Sequence, residues 1–192
     1  MKLFYWPCSQ RNISQLFGEN RACVDVATGS KYITCDGHHP PQGYKSVYGP
    51  LGHTGVDIPM PRWTNLYSMR EGTVVEKVVD LARGLGLGIL HGPYDGKYYV
   101  SRYWHLAAID VDLSEKVFTG SFLGYADNTG ASSGDHLHLE LWESDSVGNH
   151  VKPIDPLPLL FPTDAIKVSL LREAVEKLAL VVDKLADLIR GR

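Results

Sequence analysis

Short apolar runs separated by glycine and other turn residues fill the middle of the chain, from about residue 51 to residue 160. Each run has the length of a β-strand and is too short for a typical helix. We therefore expect a mainly β domain, mostly antiparallel, over residues 51–160. The clearest runs are residues 72–79, 87–90, 98–104, 121–125 and 136–142.

The segments on either side of this domain have different patterns. Residues 1–50 are irregular and largely polar, and we expect them to form strands and loops that pack on the β domain. Several prolines between residues 153 and 162 exclude a continuous helix, so we expect a linker or surface coil there.

A heptad pattern distinguishes the C-terminal segment, residues 163–190. β-branched residues occupy every a position and leucine every d position, which predicts an amphipathic α-helix. Two partners fit its apolar stripe: a second copy of the chain, which would make a homo-oligomer, and the chain's own domain. A membrane surface is a third alternative, disfavoured by the balanced charge of the segment. The seam consists of Val168, Leu171, Val175, Leu178, Val182, Leu185 and Ile189.

Composition and charge exclude several classes of protein. With 192 residues and 44% hydrophobic content the chain can fill a core, and its net charge of −3 argues against a nucleic-acid partner. No apolar window is long enough for a transmembrane segment, and Pro7 interrupts the start before a signal peptide can form. We therefore expect the protein to be cytoplasmic as synthesised. The odd number of cysteines predicts free thiols at Cys8, Cys23 and Cys35.

Polar and apolar residues alternate strictly from Gly134 to Trp142. In a strand, residues two apart share a face, so His136, His138 and Glu140 point one way while the intervening leucines enter the core. Two imidazoles side by side on a rigid strand are candidate metal ligands. Glu140 is expected to support them rather than to react.

A second cluster strengthens the case for a metal site. His53 and Asp57 are four residues apart in a segment whose Gly55 and Pro59 argue against a helix. Two histidine nitrogens and one carboxylate oxygen, with a fourth position open to water, are typical of a catalytic zinc site. We expect one zinc ion per chain.

Together these motifs resemble the lysostaphin-type (LytM-type) zinc endopeptidases of bacterial cell walls. The resemblance covers about residues 44–157, and the motif Tyr103-Trp104-His105-Leu106 lies in the expected place between the two clusters. It implies a small, twisted antiparallel β-sheet of the lysostaphin type, a duplicated hybrid motif, acting on peptidoglycan.

The resemblance also implies a division of roles among the site residues. His53, Asp57 and His138 hold the zinc, whereas His105 and His136 are catalytic and act on the water or the tetrahedral intermediate. Zinc lowers the pKa of its water toward about 7 and polarises the scissile carbonyl, and a neutral imidazole can move the proton.

Three residues are candidates for binding the substrate. Tyr103 shares a strand face with His105, so we expect it to border the groove. Asn128 and Thr129 lie in the loop ahead of His136, where they are placed to hold the substrate chain. Most other aromatic residues, Trp63 among them, are expected to serve as core or sheet cover.

The leading hypothesis is a zinc endopeptidase that cuts stem peptides or cross-bridges of peptidoglycan. One alternative is an inactive wall-binding or activator module, whose signature would be missing ligands, whereas here every motif position is filled. A structural protein assembled through the C-terminal helix is the other. Residues 13–20 ahead of the first metal motif are similar to phage-encoded and virion-associated lysins, which predicts action on the wall after release or within a phage particle.

Overall fold

The structure is a computed structural model that describes residues 3–19, 22–23, 33–34 and 52–161. Within these residues β-strands dominate, and the prediction of a mostly antiparallel β domain is confirmed. The predicted helix at 163–190 and the side chains of Cys23 and Cys35 lie outside the described part. No helix in the described part has the length and hydrophobicity that a membrane crossing requires.

The strands are short at both ends of the described chain and long in its middle. In chain order they are β1 (Phe4–Tyr5), β2 (Ala22–Cys23), β3 (Ile33–Thr34), β4 (Gly55–Pro59), β5 (Asn65–Tyr67), β6 (Gly72–Asp80), β7 (Gly84–Tyr94), β8 (Lys97–Ile109), β9 (Lys116–Val117), β10 (Phe122–Ala126), β11 (His136–Ser144), β12 (His150–Ile154) and β13 (Leu160–Phe161). A 3₁₀ helix, Leu157–Leu159, precedes β13.

Nine of the described strands form the main sheet. Its longest path runs β12-β11-β8-β7-β6-β9, while β4 pairs with β11 and β10 joins β5 to β8. β1 pairs in parallel with β13, and β2 pairs with β3. Because β11 pairs with β4, β8 and β12, it brings residues from distant parts of the chain onto one face.

Strand alternation along β11 separates the core from the opposite face, as the sequence pattern predicts. Leu137, Leu139 and Leu141 are fully buried in the hydrophobic core. On the other face His138 lies directly opposite Asp57 in the β4–β11 register. The packing that buries the leucines therefore also holds the polar side chains of both strands together.

Tyr103 lies in this core and not at a groove. Its side chain is fully buried, and its hydroxyl accepts a hydrogen bond from the Met69 amide and donates one to the Tyr67 carbonyl, both at 3.2 Å. Burial raises its pKa above the usual range. The expectation that Tyr103 borders the substrate is therefore corrected, since its polar tip is already paired within the protein.

The N-terminal segment runs beside β4. The Asp57 amide donates to the Gln15 carbonyl at 2.9 Å, and the Ser14 amide donates to the Asp57 carbonyl at 3.0 Å. Three residues further along, the Gly18 amide donates to the His53 carbonyl at 2.8 Å. Residues 14–19 thus support the backbone that carries two of the expected metal ligands.

Candidate metal centre

Three ligand atoms from two segments converge at one point. The Nε2 of His53 lies 3.1 Å from Asp57 Oδ1 and 2.9 Å from His138 Nδ1, and the last two atoms are 2.8 Å apart. Their side chains are at most 14% exposed. These three are the residues that the sequence analysis expects to hold the zinc.

The chemistry of these atoms fits a metal ion. Ligands of a tetrahedral zinc ion stand roughly 3.3 Å from one another, so these atoms need move apart by only a few tenths of an ångström. Within the described residues they form a group of His, Cys, Asp or Glu ligand atoms close enough to share an ion. A donor set of two imidazoles and one carboxylate leaves one position of a four-coordinate metal ion open for reacting groups.

The outer nitrogen of each ligand histidine is held by the protein. His53 donates its Nδ1–H to the carbonyl of Leu16 at 3.0 Å, which leaves Nε2 turned to the centre. His138 donates its Nε2–H to Glu140 Oε1 at 3.3 Å, which leaves Nδ1 turned to the centre. Such partners orient a metal-binding imidazole and select its tautomer.

The electrostatics of the centre favour a cation. Burial alone would lower the pKa of His138, but hydrogen bonds to Asp57 and Glu140 raise it to about 9. Burial would likewise raise the pKa of Asp57, yet its close contacts with His138 and His53 hold that pKa well below its usual range. Two carboxylates therefore stabilise positive charge on His138, and a metal ion held at Nδ1 would replace that proton.

Glu140 is fully buried and saturated with donors. Its carboxylate accepts hydrogen bonds from Thr54 Oγ1 at 2.5 Å, Trp142 Nε1 at 3.0 Å and Trp104 Nε1 at 3.2 Å. Arg102 Nη1 lies 3.3 Å from the same carboxylate. Against the cost of burial, the His138 hydrogen bond and charge hold the pKa of Glu140 well below its usual range, so it remains a carboxylate.

Gly55 allows β4 to approach β11 closely at this point. A Cβ at this position would collide with the Leu139 carbonyl and come within 3.1 Å of His138 Cε1. The glycine between His53 and Asp57 therefore has a packing role, because any side chain there would push β4 and β11, which carry Asp57 and His138, apart.

His105 reaches the site through an irregular backbone. Its φ of 62° places it in the left-handed region, where its amide donates to the Arg83 carbonyl and its own carbonyl accepts from the Asp127 amide. This break in the alternation of β8 is what separates His105 from the core face of Tyr103. The His105 ring lies 4.6 Å from the His136 ring and 6.1 Å from the His138 ring, measured between centroids.

The Nε2 of His105 is available for proton transfer. Its Nδ1–H donates to the Thr129 carbonyl at 2.7 Å. Burial, which disfavours the charged form, lowers the pKa of His105 to about 4. The imidazole is therefore neutral at physiological pH, with the lone pair on Nε2.

His136 lies at the more open side of the centre. It donates its Nδ1–H to the Gly134 carbonyl at 2.7 Å, with Ser132 Oγ 3.1 Å away. Its Nε2 is 3.6 Å from Asp57 Oδ1. The structure thus brings His136 beside the three ligand atoms and beside His105.

The loop residues expected to bind substrate differ in their surroundings. Asn128 is exposed. The Thr129 hydroxyl donates to the Leu106 carbonyl at 2.9 Å and accepts from the Leu85 amide at 3.1 Å. Since its backbone carbonyl also holds His105, Thr129 is engaged within the protein at both polar groups.

Several supporting groups of the site are not evident from the sequence pattern. The Leu16 carbonyl carries no side-chain signal at all. Thr54 and Arg102 had a detectable signal, because Thr54 lies inside the first metal motif and Arg102 lies two residues before Trp104 on an alternating strand. Their partner Glu140 identifies them only once the pairing of β11 with both β4 and β8 is known.

The chain is similar in sequence to named proteins. The chain is 38% identical over 110 residues to the peptidoglycan DD-endopeptidase ShyA of Vibrio cholerae, which is 57% of this chain and 25% of that protein. It is 31% identical over 129 residues to the glycyl-glycine endopeptidase ALE-1 of Staphylococcus capitis, which is 61% of this chain and 34% of that protein. The chain thus spans a quarter to a third of the length of these relatives.

A solved structure shows the same fold. The catalytic domain of lysostaphin from Staphylococcus simulans superposes with a TM-score of 0.50 at 26% identity, covering 57% of this chain and 79% of that one. The lysostaphin-like fold that the resemblance implies is therefore confirmed for the β domain. Residues 51–156, more than half of the chain, match the model of peptidase family M23. This chain belongs to peptidase family M23.

Proposed function

We propose that this protein is a zinc-dependent endopeptidase that hydrolyses peptide bonds in the stem peptides or cross-bridges of peptidoglycan. The observation that carries the proposal is the convergence of His53 Nε2, Asp57 Oδ1 and His138 Nδ1 within 3.1 Å of one another. Two further histidines adjoin this point. The similarity to a peptidoglycan DD-endopeptidase and to a glycyl-glycine endopeptidase supports the class of substrate.

The chain's own residues account for binding and proton transfer. His53, Asp57 and His138 would hold the zinc ion, which supplies Lewis acidity to polarise the scissile carbonyl and acidify the attacking water. His105 accepts the proton of the water at Nε2 and returns it to the leaving amine. His136 presents Nε2 to the reacting groups from the open side of the centre. Asp57, which lies close to both His138 and His136, offsets positive charge on these two imidazoles.

Supporting residues keep this geometry ready. Glu140 and the Leu16 carbonyl orient the two ligand histidines, and the Thr129 carbonyl orients His105. We assign Thr129 to this orienting role, and Asn128 to contact with the substrate chain. No covalent bond between enzyme and substrate is needed, because water is the nucleophile.

The test is release of free amines from purified sacculi by the zinc-loaded protein, with mass spectrometry of the fragments. Two variants are compared with wild type. His138→Ala removes a ligand, so it should lose both the zinc and the amine release. His136→Ala should keep most of the zinc and lose the release, because it removes no ligand.

The outcomes separate enzyme from binding module. Amine release that depends on His138 supports the proposal, and the fragments identify the bond. No release from sacculi of several wall chemistries by a protein that holds one zinc would contradict it and favour an inactive wall-binding module. Equal zinc loss in both variants would contradict the division of roles between His136 and His138. A phage origin and delivery with a phage particle stay predictions.

A further inference from the structure

An aromatic strip crosses the outer surface formed by β5, β10 and the turn before β5. It consists of Trp63, Tyr125, Phe122 and Tyr67. Successive ring centroids along it are 5.5, 5.1 and 6.2 Å apart, each pair packed edge to face. Trp63 is 56% exposed, and the other three are partly exposed. The strip is therefore a continuous row of rings that reaches solvent, which packing of the core does not explain.

Trp63 occupies a backbone position that disfavours a large residue. The Thr64 amide donates to the Pro61 carbonyl at 3.1 Å, which closes a turn with Trp63 at its third position. There φ is 64°, a value that glycine adopts readily and bulky residues rarely adopt. The chain thus bears a strained conformation to hold an indole that lies mostly in water. Strain of this kind is concentrated at functional positions.

The strip is continuous with the metal centre. Arg62, next to Trp63, forms a two-pronged ion pair with Asp127, with Nε–Oδ1 at 2.6 Å and Nη2–Oδ2 at 2.8 Å. The backbone of Asp127 donates to the His105 carbonyl at 3.0 Å and accepts from the His136 amide at 3.2 Å. One ion pair therefore joins the Trp63 turn to both histidines outside the metal ligands.

The chemistry of the strip suits a saccharide chain better than a protein partner. The C–H face of a pyranose ring is apolar and slightly positive, and it packs against the negative face of an aromatic ring. Sugar hydroxyls also need hydrogen-bond partners, and Asn65, bonded to the Tyr67 hydroxyl at 3.2 Å, and the largely exposed Arg62 provide them beside the rings. An apolar protein surface would offer no hydrogen-bond partner to the remaining N–H groups of Arg62 or to the Oδ1 of Asn65.

We propose that the aromatic strip binds the glycan strand of peptidoglycan and so holds the attached peptide at the metal centre. This inference rests on the proposed function. The strip lies beside the site instead of inside it, so the sugar chain is bound along the outer surface while the peptide branch reaches the zinc ligands. Binding energy from the unreacting sugar then positions the scissile bond.

The test uses the zinc-loaded full chain and glycan strands freed of peptides by an amidase, with binding measured by titration calorimetry. Trp63→Gly and Tyr125→Ala should bind these strands about tenfold more weakly or worse, whereas Trp63→Phe should retain most of the affinity because it keeps a ring. Val151→Ala, an exposed apolar change on β12, is the control and should bind like wild type. Trp63→Gly should hold one zinc and melt no lower than wild type, because glycine accepts the positive φ.

Each result bears on the strip separately from the proposed function. Equal glycan affinity of wild type and Trp63→Gly, or no glycan binding by wild type, contradicts the proposal that the strip binds glycan. This holds even if the protein releases amines from sacculi. Glycan binding that depends on Trp63, without release of amines from sacculi, supports glycan binding by the strip and contradicts the proposed endopeptidase activity. A third outcome is that wild type self-associates in sedimentation and binds no glycan, while Trp63→Gly does not self-associate. The strip would then bind a second copy of the chain, which would also contradict the proposal.

Discussion

Glu140 Oε1 lies 3.3 Å from the Nε2 of His138, two residues away on the same face of β11. The carboxylate is fully buried, so a negative charge inside the protein directs the opposite nitrogen of His138 toward His53 and Asp57. One strand thus carries both a metal ligand and the group that orients it.

Glu140→Gln should weaken zinc binding by about 10–100-fold, the usual effect of removing a carboxylate behind a metal-bound imidazole. Glutamine keeps the shape but removes the charge that favours a cation on His138. Zinc affinity measured by competition with a chelator tests this. Glu143→Gln, on the same strand and paired with Lys97 at the surface, is the matched control and should leave the affinity unchanged. Equal affinities in all three proteins would contradict the orienting role.

His105→Asn should lower turnover on sacculi by about 10²–10⁴-fold, which is the contribution of a general base. Asparagine tolerates the left-handed φ of 62°, so the backbone of β8 should survive the change. Zinc content and melting temperature should stay close to those of wild type, because His105 is not a ligand. A large loss of zinc with the turnover would instead place His105 in the metal centre.

Tyr103→Phe should reduce the free energy of unfolding by about 1–3 kcal/mol, because it leaves the buried Met69 amide without its hydrogen bond. KM for sacculi and zinc affinity should not change, since the ring lies in the core. Chemical denaturation and steady-state kinetics check the two statements. A raised KM with unchanged stability would restore Tyr103 to the substrate groove.

Acid should destabilise the fold through His91, which lies on β7 away from the metal centre. The side chain is buried between Ser101 Oγ, 2.7 Å from Nε2, and the Glu71 carbonyl, 3.0 Å from Nδ1. Burial lowers its pKa to about 4 from the usual 6.5. As the pH falls from 6.5 to 4 the unfolded chain therefore takes up the proton first, and stability is lost over this window.

The size of this effect follows from the pKa difference. It corresponds to a loss on the order of 3 kcal/mol between pH 7 and pH 4. Urea unfolding of wild type and His91→Gln, both with chelator to remove the contribution of metal, measures it. The variant should lose less stability than wild type over the same pH range. Identical pH dependence in the two proteins would show that His91 titrates normally.

Much of the site follows from spacing along the chain. The alternation from Gly134 to Trp142 is sufficient to place three leucines in the core and His138 with Glu140 on the other face, because the side-chain period of a strand is two. His53 and Asp57 are identifiable by residue type and separation. The mainly β fold could therefore be predicted from the sequence, whereas the choice of His138 over His136 as a ligand came from the family resemblance.

Strand periodicity fails to predict the relative positions of Tyr103 and His105. Their separation of two residues places them on one face of a regular strand, yet Tyr103 enters the core and His105 reaches the site. The left-handed backbone at His105 is stabilised by hydrogen bonds to Arg83 and Asp127, each about 22 residues away in sequence. Only the tertiary structure supplies those partners.

Strand periodicity and ligand chemistry are local properties, so the order of residues indicates which side chains can bind a metal and which strand faces carry them. The support of these side chains depends on tertiary contacts. The Leu16 carbonyl behind His53, the Arg102 charge beside Glu140 and the exposed indole of Trp63 all depend on contacts between distant segments. Hydrogen bonds and packing between segments far apart in the chain leave no periodic pattern in the sequence.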